Sequence, residues 1–270
     1  MRRLLREPRL VGVLGRPMAD AQWDLRGRCV VVTGASSGMG AETARFLGAR
    51  GARLVLQGRD KDRLAAVAAD TSAAGGEAVT VELDLEDPTA AGGLIDRATS
   101  AFGAIHGLVL NASLFDPRPL AETSLDSITR QWNTNVVSHL VITQAAVGSM
   151  EPGSSIVFIS STTALAGFAG CAAYAATKGA IEALSRTLAI ELAPAGIRVN
   201  TIAPGFVRTP MLQPILDATP GYEQWLFEQT PVGRIGRPGE IGATVAFLLS
   251  GLAPYINGVT LAADGGWTAR

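Results

Sequence analysis

The sequence predicts an α/β protein: a doubly wound, mostly parallel sheet of about seven strands with helices on both faces. Three observations predict it. Short apolar, β-rich runs alternate with longer stretches of helical period, the order that builds βαβ units. Two stretches, 152–177 and 241–263, carry no Asp, Glu, Lys or Arg, as expected of a parallel sheet covered on both faces. The chain has 270 residues, 47% apolar and 17% charged, enough to bury a sizeable core and unlike disordered, collagenous or coiled-coil sequence.

Taken in order, strands are expected at 29–33, 53–57, 78–83, 105–111, 155–160 and 198–202, with a weaker one at 259–262. Helical stretches lie between them at 38–50, 60–74, 88–102, 125–150 and 174–193. One segment breaks the rhythm. Residues 210–231 follow a strand end and carry Met211, Leu212, Ile215, Trp225, Leu226 and Phe227, which fits a substrate lid, a packing helix or a subunit contact. Before the first element, 1–22 form a basic tail with Arg2, Arg3, Arg6, Arg9 and Arg16. Its apolar stretch, 10–14, is too short for a secretion signal, and it reads as a loose tail or as sequence ahead of a true start at Met18. Residues 23–270 read as one dinucleotide-binding and catalytic domain.

Composition excludes several functions. Lys+Arg 23 against Asp+Glu 24 leaves a net charge of -1, so no global field favours nucleic acid or an anionic membrane. The charge-free runs are long enough to span a bilayer. They are nonetheless broken by Ser154, Ser155, Ser160, Ser161, Thr162 and Thr163 in one, and by Gly251, Pro254, Asn257 and Gly258 in the other. Cys29 and Cys171 lack the spacing of a metal site or a disulfide framework and read as buried apolar residues of a reducing, cytoplasmic protein. His106 and His139 are the only histidines, so no metal is expected.

After the first strand comes Thr33-Gly34-Ala35-Ser36-Ser37-Gly38-Met39-Gly40, followed by a helical pattern. Glycine permits the tight turn and lets backbone approach a pyrophosphate, while the amides and dipole at the helix start favour the anion. Spacing alone is weak, but strand before and helix after point to a nucleotide. At the end of the second strand stand Gly58 and Arg59, where an acidic residue would select the free ribose hydroxyl. NADP(H) is therefore favoured over NAD(H), unless Asp60 or Asp62 reaches the ribose or Arg59 merely starts a solvated helix.

Tyr174 and Lys178 lie one helical turn apart on the same face. With three tyrosines and two lysines in the chain, Tyr-x-x-x-Lys is expected by chance in only about 0.02 places. A free phenol titrates too high for proton transfer at neutral pH, and each unit of lowering needs about 1.4 kcal/mol of preference for phenolate. Lys178 and a bound nicotinamide cation are the expected sources. Ser161, at the C-terminal end of a strand, stands where ligands collect in open α/β sheets and can orient a carbonyl oxygen. Each residue alone also has a plainer reading: Ser161 as a cap, Tyr174 as a packed ring with a satisfied hydroxyl.

Together these residues resemble the short-chain dehydrogenase/reductase family. The match runs from about Leu25 to the C-terminus through Thr33-Gly34-x-x-x-Gly38-x-Gly40, Asn135, Ser161, Tyr174-x-x-x-Lys178 and Pro204-Gly205-x-x-x-Thr209. The resemblance implies a Rossmann fold and hydride transfer between the nicotinamide and a substrate carbon, with Tyr174 as acid in reduction and base in oxidation. Lys178 would then lower the Tyr174 pKa and hold the nicotinamide ribose, Ser161 bind the substrate oxygen, and Asn135 anchor a relay water. On the cofactor side it implies Gly34, Ser36, Ser37, Gly38, Met39, Gly40, Arg59, Asp84, Leu85, Asn111, Ala112, Tyr174, Lys178, Pro204, Gly205, Val207 and Thr209. It also implies a homotetramer or homodimer. One departure stands out: the family's Asn-Asn-Ala-Gly reads Leu110-Asn111-Ala112-Ser113 here.

The substrate expected is a small, fairly apolar ketone or secondary alcohol, since apolar residues fill the lid and Phe168 stands between small residues. A 3-oxoacyl-carrier-protein is disfavoured because no Lys or Arg occurs from Gln144 to Thr177 to meet an acidic carrier. The rival from another class is a module that senses NADP(H) without turnover.

Overall fold

In a computed structural model, which describes Trp23 and residues 25–269, seven strands form one sheet. They are β1 (Cys29–Val32), β2 (Arg53–Gly58), β3 (Glu77–Glu82), β4 (Ile105–Leu110), β5 (Met150–Ile159), β6 (Arg198–Pro204) and β7 (Thr260–Ala263). Their order is β3-β2-β1-β4-β5-β6-β7, and every adjacent pair is parallel. Parallel neighbours require crossovers, and helices supply them: α1 (Gly38–Gly48), α2 (Lys61–Ala73), α3 (Gly92–Phe102), α4 (Leu125–Trp132), α5 (Ser138–Val147) and α6 (Ala172–Leu192).

The period-2 alternation of the strands feeds two cores. In β1, Val30 and Val32 pack towards α1, while Cys29 and Val31 point to the other face with Leu94 of α3 and Ile181 of α6. All four residues of β1 are buried, which is why the strand reads as unbroken apolar sequence. Truncating a fully buried side chain such as Leu56 to alanine costs about 2–5 kcal/mol. Both cysteines are free and buried, as their apolar surroundings in the sequence imply. No helix among the described residues is long and apolar enough to cross a membrane.

The structure adds detail to the sequence expectations in three places. The helix expected over 125–150 runs without a break over 125–147, with a π-turn, Asn133–Val137, between α4 and α5, and the chain enters β5 at Met150. A helix that sequence periodicity did not isolate, α9 (Pro238–Leu249), runs into the charge-free stretch 241–263. Burial hides its amphipathic signal, but its start was legible: Pro238 opens it, and the Glu240 carboxylate accepts from the Arg237 amide at 2.7 Å. The segment 210–231 holds two short helices, α7 (Gln213–Ala218) and α8 (Tyr222–Gln229). They share a small core of Leu212, Leu226 and Ile235, with Phe206 and Trp267 packed on it. The basic tail over 1–22 lies outside the described residues.

β1 lies between β2 and β4, so the connections leave it in opposite directions and open a crevice at the C-terminal ends of β1 and β4.

Candidate active site

The glycine loop is held open by specific bonds. Gly34, at φ +64°, donates its amide to Gln57 Oε1 at 3.0 Å, and Gln57 Nε2 donates to the Leu83 carbonyl at 2.6 Å. Across the crevice, Thr33 Oγ1 accepts from the amides of Asn111 at 2.9 Å and Ala112 at 3.0 Å. Asn111 Nδ2 returns a bond to the Thr33 carbonyl at 3.0 Å. A Cβ at Gly40 would stand 2.2 Å from the Gly34 carbonyl oxygen, so this glycine keeps the turn tight and does not itself line the crevice. Ser37 caps α1 with extended backbone but makes no side-chain cap bond. A loop this close to a helix start, with backbone facing open space, is a cradle for phosphate.

From that loop a cavity of about 200 Å³ runs to the middle of α6. It is lined by Gly34, Ser36, Ser37, Gly38, Met39, Arg59, Asp84, Leu85, Asn111, Ala112, Tyr174, Lys178 and Thr209, all expected at the cofactor. Arg59 stands at one end, 3.7 Å from Asp84 and 3.5 Å from Glu86, while Arg130 clamps Glu86 at 2.8 and 3.0 Å. Sequence reading missed the Glu86–Arg130 pair, which joins residues far apart in the chain. The cradle, the lining and the terminal arginine fit an NAD(P) dinucleotide.

A second cavity, of about 300 Å³, meets the first at Met39, Tyr174, Thr209 and Met211. Ser161, Pro204, Gly205 and Val207 line this second cavity and not the first. The three expected at the cofactor therefore sit on the junction's far side, and Thr209 alone of that segment reaches both cavities. The walls are aromatic. Phe115 meets Tyr174 edge-on at 4.8 Å, and Phe206 packs against Phe168 at 5.7 Å and Trp267 at 4.9 Å. Among the described residues no Lys, Arg, Asp, Glu or His lines it. Of these aromatics the spacing of the sequence points to Tyr174 and Phe168 alone, since Phe115, Phe206 and Trp267 come from segments far apart in the chain.

Tyr174 and Lys178 rise from one turn of α6, whose Thr177 Oγ1 donates to the Tyr174 carbonyl at 2.7 Å. Although part of Tyr174 reaches the cavity surface, burial pushes its hydroxyl up to about 12, opposed by hydrogen bonding to the side chains of Ser113 and Ser161. Lys178 stands beside the phenol ring. Its Nζ lies 5.4 Å from the Tyr174 ring centre and donates to the Ile159 carbonyl at 2.9 Å, and burial pushes its own pKa down to about 7. Ser161 both caps and faces the site: its Oγ accepts from the Thr163 amide at 3.2 Å while it engages Tyr174.

Asn135 lies in the π-turn, fully buried, and lines neither cavity. Its side chain is committed within the protein. Oδ1 accepts from the Leu114 amide at 2.7 Å and from Ser113 Oγ at 3.2 Å, and Nδ2 donates to the Leu114 carbonyl and to Thr177 Oγ1, each at 3.0 Å. What Asn135 does is bolt the end of β4 to α6 beneath Tyr174.

A doubly wound parallel sheet with a glycine cradle, a dinucleotide-sized cleft and a Tyr/Lys/Ser cluster at its inner end defines an NAD(P)-dependent oxidoreductase. A family model described as enoyl-(acyl carrier protein) reductase matches residues 34–268. The cis-4-hydroxycyclohexanecarboxylate dehydrogenase of Sinomonas cyclohexanicum is 36% identical over 90% of this chain and 97% of that one. The cyclopentanol dehydrogenase of a Comamonas strain is 34% identical over 90% and 98%. A short-chain dehydrogenase from Burkholderia cenocepacia, solved in complex with NADP, superposes with a TM-score of 0.85 at 33% identity, covering 91% and 99%. The chain belongs to the short-chain dehydrogenase/reductase family and is an oxidoreductase acting on CH–OH or C=O groups with NAD(P).

Proposed function

We propose that this enzyme is NADP(H)-dependent and interconverts a carbonyl and a secondary alcohol on a small, uncharged, fairly apolar substrate, with Tyr174 as general acid and base. The observation that carries this reading is the position of Tyr174 at the junction of the two cavities, Ser161 lining one and Lys178 the other. Bound in the first cavity, the dinucleotide supplies or accepts the hydride equivalent. Ser161 orients the substrate oxygen. Tyr174 gives that oxygen a proton in reduction and takes it back in oxidation. Lys178, fixed by the Ile159 carbonyl, holds the nicotinamide ribose beside the phenol. The aromatic walls fold a ring-sized apolar group against this point, and residues 210–231 contribute Met211, Leu212, Ile215 and Tyr222 as a lid.

Arg59 supports the NADP(H) preference, since it lines the cleft end with no acidic residue at position 58. Exposed Leu125, Trp132, Leu140 and Ile190 support a homodimer or homotetramer, and free buried cysteines fit a cytoplasmic enzyme. A carrier-protein thioester is the second reading, favoured by the description of the family model, although no basic residue lines the second cavity.

The test is consumption of NADPH with a panel of cyclic ketones, alongside Tyr174→Phe. Wild type is expected to turn over at least one of them and the variant to lose about 10²–10⁴-fold. Tight NADPH binding with no turnover across the panel, or equal rates in the two proteins, refutes the reading.

A further inference from the structure

Ser113 occupies the position where the family resemblance calls for glycine, lines the first cavity with Tyr174, and has a side chain that acts on the Tyr174 hydroxyl. The orientation of Asn135 decides what that hydroxyl can do. Nδ2 faces the Leu114 carbonyl, which only accepts, and Thr177 Oγ1, whose proton is already given to the Tyr174 carbonyl. Oδ1 therefore faces the Leu114 amide and Ser113. An amide oxygen only accepts, so Ser113 donates its single proton to Asn135 and turns lone pairs towards Tyr174. In this arrangement Ser113 can accept a hydrogen bond from the phenol but cannot donate one to a phenolate.

The second arrangement is close at hand. Asn135 Oδ1 holds the Leu114 amide at 2.7 Å and Ser113 at the longer 3.2 Å, so it stays satisfied if Ser113 turns away. We propose that Ser113 is a rotating hydroxyl switch on Tyr174, donating to Asn135 while Tyr174 is a phenol and to Tyr174 once it is a phenolate. This rests on the reading of Tyr174 as the acid and base. The switch involves one rotation and breaks no covalent bond: the proton leaving Tyr174 goes to the substrate oxygen, and the Ser113 proton only changes acceptor. Ser113 acts through Tyr174 and is a positioning residue.

Its effect has a definite sign. A hydrogen bond to an ion outweighs one to a neutral group, so the switch favours phenolate by roughly tenfold, about one pH unit. The other titratable groups facing Tyr174 are few. Lys178 lies on its own helix, Cys171 at the start of that helix, and Tyr222 approaches from α8 across the second cavity. His139 of α5 lies behind Lys178, and Glu182 is held one turn further on by Ser160 at 3.1 Å. No carboxylate stands between Ser113 and the phenol among the groups that act on Tyr174.

The experiment is the pH profile of kcat/KM for alcohol oxidation at saturating NADP⁺, in wild type, Ser113→Ala, Ser113→Gly and Ser113→Thr. Loss of the hydroxyl is expected to move the limb that reports Tyr174 ionisation up by about one pH unit, with KM nearly constant, and Ser113→Thr to keep the wild-type limb. Phenolate absorbance of the NADP⁺ complex, taken as a difference against Tyr174→Phe, follows the same ionisation without any substrate. If no alcohol is oxidised by wild type the functional reading fails, while the absorbance titration still decides the role of Ser113. Thermal unfolding and NADP⁺ affinity identify a variant that folds badly, and the second removal variant then serves. A limb and a titration that stay in place when the hydroxyl is removed overturn the proposal.

Discussion

Replacing Arg59 tests the cofactor preference where the structure makes a quantitative statement. The guanidinium is 63% exposed, with Asp84 at 3.7 Å and Glu86 at 3.5 Å, both too far for strong bonds. Glu86 is itself neutralised by Arg130, so Asp84 is the one nearby carboxylate with little compensation. Two unit charges about 4 Å apart attract by about 1 kcal/mol in bulk water and about 4 kcal/mol near a protein surface. Exposure puts Arg59 near the lower figure for each phosphate charge, and a 2′-phosphate carries nearly two. The sum, about 1.5–2 kcal/mol, predicts that Arg59→Ala weakens NADPH about 10- to 30-fold and NADH less than about twofold. Arg130→Ala, which leaves Glu86 uncompensated, weakens NADPH by a smaller factor in the same direction. The assay is titration of both reduced dinucleotides by fluorescence at two salt concentrations, since screening should shrink the NADPH effect. An unchanged ratio of the two affinities in Arg59→Ala would show that Arg59 does not read the phosphate.

Three further outcomes follow from the packing. His139 is fully buried, and burial pushes its pKa down to about 3 from the ordinary 6.5, with the nearby Lys178 charge acting the same way and the Ala112 backbone opposing it. The unfolded chain takes up that proton first, so stability is full above about pH 6.5 and falls as pH drops towards 3. The loss from this group is about 2 kcal/mol by pH 5, which denaturant unfolding of His139→Leu should lack; equal acid sensitivity in both proteins refutes it. Because no cation among the described residues lines the second cavity, a cyclic ketone should have a kcat/KM at least about tenfold above that of its ring-carboxylate counterpart, and parity would mean an unrecognised anion contact. Gly40→Ala drives a methyl to 2.2 Å from the Gly34 carbonyl and should cost about 1–3 kcal/mol together with dinucleotide affinity, read by thermal melts and binding; wild-type values in both would show the turn to be slack.

The sheet, its parallel sense and the loop that follows β1 were legible in the sequence because each is a local matter: β-branched runs, the spacing of glycines, the change from period 2 to period 3.6. Tyr174 and Lys178 were legible for the same reason, being one turn apart on α6. The helix α9 was not, since burial on several sides erases the polar stripe that marks a helix, and the π-turn at Asn133–Val137 leaves no periodic trace.

What the sequence determined by itself is which groups are available: a phenol, an amine, serines and a glycine turn, fixed in type and order by covalent structure. Only the tertiary structure decided how they meet. It set Ser113 and Ser161 against Tyr174, committed the Asn135 side chain to partners within the protein, divided the crevice into two cavities and drew four distant segments into one aromatic wall. The physical reason is that pKa shifts, hydrogen-bond direction and the exclusion of water depend on distances between residues far apart in the chain, and only packing of the helices on the sheet sets those distances.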